Sequence, residues 1–168
     1  MRTTTSTVLA AAALALAACG GSGDDKTAGP TRSGFIAKTD AQCKVSNART
    51  KSLNEEGDRA AGAARTDPQL LKAVAPILAR GYGQVRDNAA AFQAASPPAA
   101  DAAEIEAIRK LYDEQAEVVR KLAAAAKRGD VEQFKALTEQ QKDVVARLRK
   151  AARAYGFQEC GSTKSDAA

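Results

Sequence analysis

DAAEIEAIRKLYDEQAEVVRKLAAAAKRGDVEQFKALTEQQKDVVARLRKAARAY, running from Asp101 to Tyr155, is the stretch that decides the fold. Ile105, Ile108, Tyr112, Gln115, Val119, Leu122 and Ala126 follow one another at steps of three and four. Phe134, Leu137, Gln141, Val144, Leu148, Ala151 and Tyr155 do the same. Steps of this kind stack side chains on one face of an α-helix. Between the two stripes stands Arg128-Gly129-Asp130. Glycine suits the left-handed residue that ends a helix. Asp130, with Gln133 three residues on, suits the start of the next. Asp101 and Glu104 have the spacing of a capping box, and Gly156 follows the last residue of the second stripe. The stretch therefore predicts two helices folded back on each other about Gly129.

Upstream, Leu71, Val74, Leu78, Gly81, Val85, Ala89 and Phe92 form a similar stripe. They predict a helix from about Pro68 to Ala95, with Asp67 as cap, proline in the first turn, and Ser96-Pro97-Pro98 as the stop. Pro76 falls inside it and should bend it, because proline removes a backbone hydrogen bond. A further helix is expected from about Ile36 to Asn54. Ser33 is one possible start, and Thr39 with Gln42 offers a capping box farther in. Its apolar face is little more than Phe35, Ile36, Cys43 and Leu53, interrupted by Ser46, Asn47 and Thr50. Four helices with short connections predict an all-α protein. The expected architecture is an antiparallel up-down-up-down four-helix bundle over residues 35–161, followed by a disordered tail over 162–168.

Val8 to Ala18 is an apolar run after a short segment that carries Arg2. It is too short to span a bilayer and suits a signal peptide covering residues 1–18. The run ends in Leu16-Ala17-Ala18-Cys19-Gly20. This segment resembles the lipobox of bacterial lipoproteins, in which the chain is cut before the cysteine and the thiol takes a diacylglyceryl group. The resemblance implies lipidation at Cys19 and attachment to a membrane. More than one acyl chain anchors stably where a single chain does not. Residues 19–34, rich in Gly, Ser, Asp and Thr, read as a flexible tether with a typical reach of roughly 20 Å. The expected location is the outer face of the cell membrane.

Composition narrows the function. The chain has 168 residues, is 45% hydrophobic but only 4% aromatic, and contains no His and no Trp. Its only methionine is Met1. Haem, copper and most catalytic zinc sites draw on His or Met, and His-based triads lack their base, so no metal and no cofactor is expected. Asp113, Glu114, Glu117, Glu139 and Asp143 cluster along the last two helices, but a di-iron bundle needs Glu-x-x-His pairs, and a solvated face is the expectation. The net charge of +5 is mild, and stacking aromatics are too few for nucleic-acid binding. With Cys19 consumed by lipid, Cys43 and Cys160 are left as a pair outside the cytoplasm, where a bridge forms readily. The predicted topology brings the start of the first helix and the end of the last to the same end of the bundle, so the bridge is read as structural.

Several residues stand out as candidates for binding. Gln115 and Gln141 interrupt apolar stripes and should lie within a turn of each other, as a register-fixing pair or as ligand contacts. Ser46, Asn47 and Thr50 make the inner face of the first helix polar, so a cleft beside that helix is the best small-ligand site on offer. Tyr82, between Gly81 and Gly83 and just after Pro76, is the aromatic residue nearest an expected weak point. Arg147, Arg149, Lys150 and Arg153 form a basic run, expected to pair with Asp101, Glu104 and Glu106 or to suit the helix end. Arg128-Gly129-Asp130 spells an adhesion tripeptide, although each residue already has a structural role.

Two motifs frame the bundle: Phe35-Ile36-Ala37-Lys38-Thr39-Asp40-Ala41-Gln42-Cys43, with Asn47 four residues on, and Tyr155-Gly156-Phe157-Gln158-Glu159-Cys160. With the Pro97-Pro98 break, they resemble a group of small lipoproteins of uncharacterised activity from high-GC Gram-positive bacteria. The resemblance runs from about Phe35 to Gly161. It implies a helical bundle with Cys43 paired to Cys160, and it implies no activity. Members of the group usually carry Leu where Phe157 stands and Ala where Thr39 stands. The expected function is a non-enzymatic, membrane-tethered binding or scaffolding module whose partner is an envelope protein or the cell wall. The alternative is a small-ligand-binding protein that uses the cleft beside the first helix.

Overall fold

A computed structural model describes residues 30–160 and Ser162. The signal peptide, Cys19, most of the tether and nearly all of the tail lie outside the described residues. Four long helices make up the fold: α1 (Arg32–Ala63), α2 (Asp67–Ala94), α3 (Ala102–Arg128) and α4 (Val131–Tyr155). One 3-10 turn, Ala99–Asp101, leads into α3. The helices pack as an antiparallel up-down-up-down bundle in which α2 lies on α3, α3 on α4, and α1 on α2.

Local chemistry sets most of the boundaries. Gly129 has φ 72° and Gly156 has φ 116°, and each ends its helix in the left-handed conformation. After Gly156, the Phe157 amide donates to the Ala152 carbonyl at 3.0 Å, which throws the Phe157 ring back over the core, where it is fully buried. At the α3–α4 hairpin, Asp130 accepts from the Gln133 amide at 3.0 Å, and the Asp130 amide bonds the Ala125 carbonyl. Arg128 also bonds the Gln133 side chain, so all three residues of the adhesion tripeptide are used in the turn.

Three boundaries differ from the sequence expectation. α1 starts at Arg32, inside the expected tether, because Thr31 caps it by accepting from the Gly34 amide at 3.2 Å. It also runs on to Ala63 rather than stopping near Asn54. Its last turns are rich in alanine, the best helix former, and Glu56 pairs with Arg80 of α2 at 2.5 Å. α2 is capped by Thr66, not Asp67, and passes through Pro76 without a break. The Asp101–Glu104 capping box does not form. Asp101 instead accepts from the Tyr155 hydroxyl at 2.7 Å, and both carboxylates pair with Arg32.

The core divides along the bundle. Near the ends of α2 and α4, Phe35, Phe92, Tyr112, Tyr155 and Phe157 form an aromatic cluster with centroid spacings of 4.9–6.3 Å. Toward the α3–α4 hairpin, Val118, Leu122, Ala125, Leu137 and Val144 form an aliphatic cluster to which α1 contributes nothing.

At the aromatic end α1 is held by covalent, ionic and polar contacts. Cys43 and Cys160 are bridged, with Cα atoms 5.0 Å apart. The Asp40 carboxylate accepts from the amides of Gln158, Glu159 and Cys160 at 2.9–3.1 Å. Arg32 lies over the Tyr155 ring at 4.2 Å and donates to the Tyr155 carbonyl at 2.8 Å. Farther along, the Gln84 amide nitrogen donates to the Ser46 carbonyl at 2.8 Å and the Thr50 hydroxyl at 2.9 Å, and Asn88 donates to the Ser46 hydroxyl. The polar inner face of α1 is thus a polar seam against α2.

Two outcomes test this arrangement. The bridge closes a loop with a sequence separation of 117, so reducing it or replacing both cysteines by Ser should lower stability by about 4–5 kcal/mol at most. The measurement is the urea midpoint with and without reductant; an unchanged midpoint would remove the bridge from the clamp. Gln84→Leu should cost about 1–2 kcal/mol. Hydrogen exchange should show that loss in α1 beyond Thr50 while Phe35 to Cys43 stay protected. An equal loss in all four helices would contradict a seam that acts on α1.

Candidate functional site

Because α1 leans on α2 and meets the end of α4 at the clamp, a cleft opens between α1 and α4 over a floor made by α2 and α3. It has two lobes. The inner lobe, about 290 Å³, lies beside the disulfide and is lined by Thr39, Cys43, Asn47, Asn88, Tyr112 and Arg149 among others. The outer lobe, about 570 Å³, reaches toward the far end of α1 and is lined by Leu53, Leu70, Val74, Leu78, Val119 and Phe134 among others. Thr50, Asn54, Val85, Gln115 and Gln141 line both and form the waist between them.

The cleft exists because the stripes of α2, α3 and α4 continue where α1 has nothing large to set against them. Val74, Leu78, Gly81 and Val85 of α2 lie on the core-facing stripe yet are only half-buried. On α1 the positions that should cover them are Ser46, Asn47, Thr50, Asn54 and Gly57. Small or polar side chains cannot fill a space shaped by aliphatic neighbours, and packing at core density would need them to.

Two residues that line the cleft carry a buried polar atom with no hydrogen-bond partner in the protein: Gln141 at Oε1 and Thr39 at Oγ1. Thr39 is 1% exposed and lines the inner lobe. Leaving such a group unsatisfied costs about 1–3 kcal/mol, so each atom favours an incoming partner. Gln141 Oε1 accepts from nothing, and no hydrogen bond joins Gln115 to Gln141 among the described residues, although both side chains line the waist.

The other candidates divide. Asn47 lines the inner lobe, but its amide nitrogen already donates to the Glu159 carbonyl at 3.0 Å. Thr50 sits at the waist and accepts from Gln84. Tyr82 is not in the cleft. It lies one residue from Gly81, about 100° around the helix, and faces a shallow outer groove with Arg86, Asp113 and Glu117. There Arg120 hydrogen-bonds Glu117 and holds its carboxyl down to about 2. The basic run also pairs differently from expectation: Arg147 meets Glu114 at 2.6 Å and Asp143 at 2.8 Å, while Asp101 and Glu104 serve Arg32.

Sequence reasoning missed Gln84, Asn88, Asn54 and Tyr112 as parts of this region. Tyr112 lies on a core stripe, which gave no reason to see its hydroxyl as a wall of the cleft. Burial, helped by the charge of Asp40, pushes that hydroxyl up to about 12, so it remains a protonated donor at neutral pH. It lies 3.8 Å from Cys43 Sγ.

Chemically, the waist offers amides and a hydroxyl around an aliphatic floor, which is equipment for binding by shape and neutral hydrogen bonds. Among the described residues no cluster of His, Cys, Asp or Glu could hold a metal ion, and no helix is long and apolar enough to cross a membrane. Comparison with protein-family models, with curated proteins and with solved structures finds no match for this chain.

Proposed function

We infer that this chain is a non-enzymatic, membrane-tethered module of the cell envelope that binds a small molecule in the cleft between α1 and α4. The observation that carries this reading is the waist, where the buried, unpartnered Oε1 of Gln141 stands with Gln115, Thr50 and Asn54 between two lobes. The outer lobe, at about 570 Å³, lies within the roughly 300–1,000 Å³ range of small-molecule sites. The polar groups are few and convergent, as in sites where shape supplies affinity and hydrogen bonds supply orientation. The lipobox resemblance at Leu16 to Cys19 supports the tether, and α1 begins at Arg32 on the clamp end, so the tether would join the bundle there.

Two experiments test the two halves of this reading. Native mass spectrometry of the chain purified gently from its own envelope should show one bound small molecule. Val85→Trp, which fills the waist, should yield the bare mass with an unchanged circular-dichroism melt. A bare mass for the unaltered chain would overturn the cleft reading. If crosslinking on intact cells then captured one reproducible envelope protein, the scaffolding alternative would take its place. Separately, Cys19→Ser should release the protein from membranes into the soluble fraction, and retention on the membrane would overturn the anchor.

A further inference from the structure

The chemistry of the cleft narrows what it takes, on the premise that the ligand-binding reading holds. We propose that the occupant is an uncharged amphipath: an aliphatic chain lying in the outer lobe, joined to a neutral head that donates a hydrogen bond at the waist.

Three observations converge on this class. The first is the outer lobe itself. It is lined by Leu70, Val74, Leu78, Val119 and Phe134, and all but Leu70 belong to the same stripes that form the closed core elsewhere. From Leu70 to Val85 the floor of α2 spans about 22 Å at the helical rise, which is a length suited to a chain rather than a compact ring. Each methylene moved out of water there adds to the affinity, so a long chain gains along the whole floor.

The second is the sign of the unpaired group. Gln141 Oε1 is an acceptor left without a partner behind the wall of the waist, so a ligand O–H or N–H complements it once the amide turns toward the cleft. Gln115, Asn54 and Thr50 around it offer both donors and acceptors. A hydroxyl or an amide head satisfies this set, because each can donate and accept at once.

The third is charge. The five residues shared by the two lobes carry none: two glutamines, one asparagine, one threonine and one valine. A charged head would have to leave water with no counter-charge at the waist, which desolvation penalises. The charged residues of the outer lobe, Lys51, Glu55 and Asp58, are exposed at its rim and mixed in sign, so they give neither an anion nor a cation a preferred seat.

The test uses the full chain carrying Cys19→Ser, so that no anchor lipid competes. The probes are 1-monopalmitoylglycerol (neutral head, aliphatic chain), palmitate (same chain, charged head) and glycerol (head alone), titrated by native mass spectrometry. Monopalmitoylglycerol should bind at one per chain, at least tenfold tighter than palmitate, and glycerol should not bind measurably. Val74→Trp, which fills the outer lobe, should weaken monopalmitoylglycerol at least tenfold. Gln141→Leu should also weaken it about tenfold and narrow its advantage over palmitate, which keeps the test intact if the tryptophan variant unfolds. Palmitate binding as tightly as monopalmitoylglycerol would overturn the neutral head. Undiminished binding in a folded Val74→Trp variant would overturn the outer lobe as its seat. If no acyl probe binds but the natural chain carries a hydrophilic molecule, the ligand class falls and the cleft reading stands. If the natural chain carries nothing and no probe binds, both fall.

Discussion

α1 brings almost no apolar surface to the bundle, and the rest of the architecture follows from that poverty. Phe35 is its one large buried hydrophobe, with Thr39 as its other buried side chain. The remaining helices carry stripes that would let them associate through hydrophobic burial alone. α1 cannot, and it is attached by other means. A disulfide, a carboxylate accepting three backbone amides, an arginine stacked on a tyrosine and a seam of side-chain amides hold it in place. All but the seam and the Glu56–Arg80 pair lie within its first half, so attachment weakens along its length.

That gradient separates two tasks. At the clamp end, five of the chain's seven aromatic residues pack together, and the disulfide, Arg32 and Asp40 tie α1 to the turn that follows α4. Toward the other end, α3 and α4 close a small aliphatic core against each other without help from α1. Between them the stripe of α2 faces a helix that cannot fill the space. The cleft is therefore the volume a fourth apolar stripe would have occupied.

Much of this was legible in the sequence, and the exceptions share a cause. The stripes of α2, α3 and α4, the stops at Gly129 and Gly156 and the pairing of Cys43 with Cys160 are fixed by local chemistry or by topology, so periodicity and turn residues suffice to read them. The weak face of α1 was visible too, through Ser46, Asn47 and Thr50. What could not be read was the choice of partner. Asp101 and Glu104 have the spacing of a capping box, but Arg32, distant in sequence, takes both. Gln84 and Asn88 look like ordinary polar positions on α2 until α1 is laid beside them. Tyr82 stands out for its neighbours in sequence, and one step around the helix carries it out of the cleft and into the groove beside α3. Long-range polar pairing has no period, so a pattern search does not see it.

The position of the clamp also bears on how the cleft works. Cys43, Asn47 and Tyr112 belong both to the clamp and to the wall of the inner lobe. That end of the cleft is accordingly preorganised by the bridge and by the Asn47–Glu159 hydrogen bond, and it costs little ordering when something binds. The outer lobe is bounded by the part of α1 whose polar ties among the described residues are the Gln84 seam and the Glu56–Arg80 ion pair. An exposed ion pair of that kind contributes about 1 kcal/mol or less. Opening there leaves the disulfide and the aromatic core untouched, whereas opening at the inner lobe would break both. Access to the cleft is consequently cheapest from the outer, aliphatic lobe, and a ligand that enters tail-last would leave its polar head at the waist, where the unpaired amide oxygen of Gln141 stands.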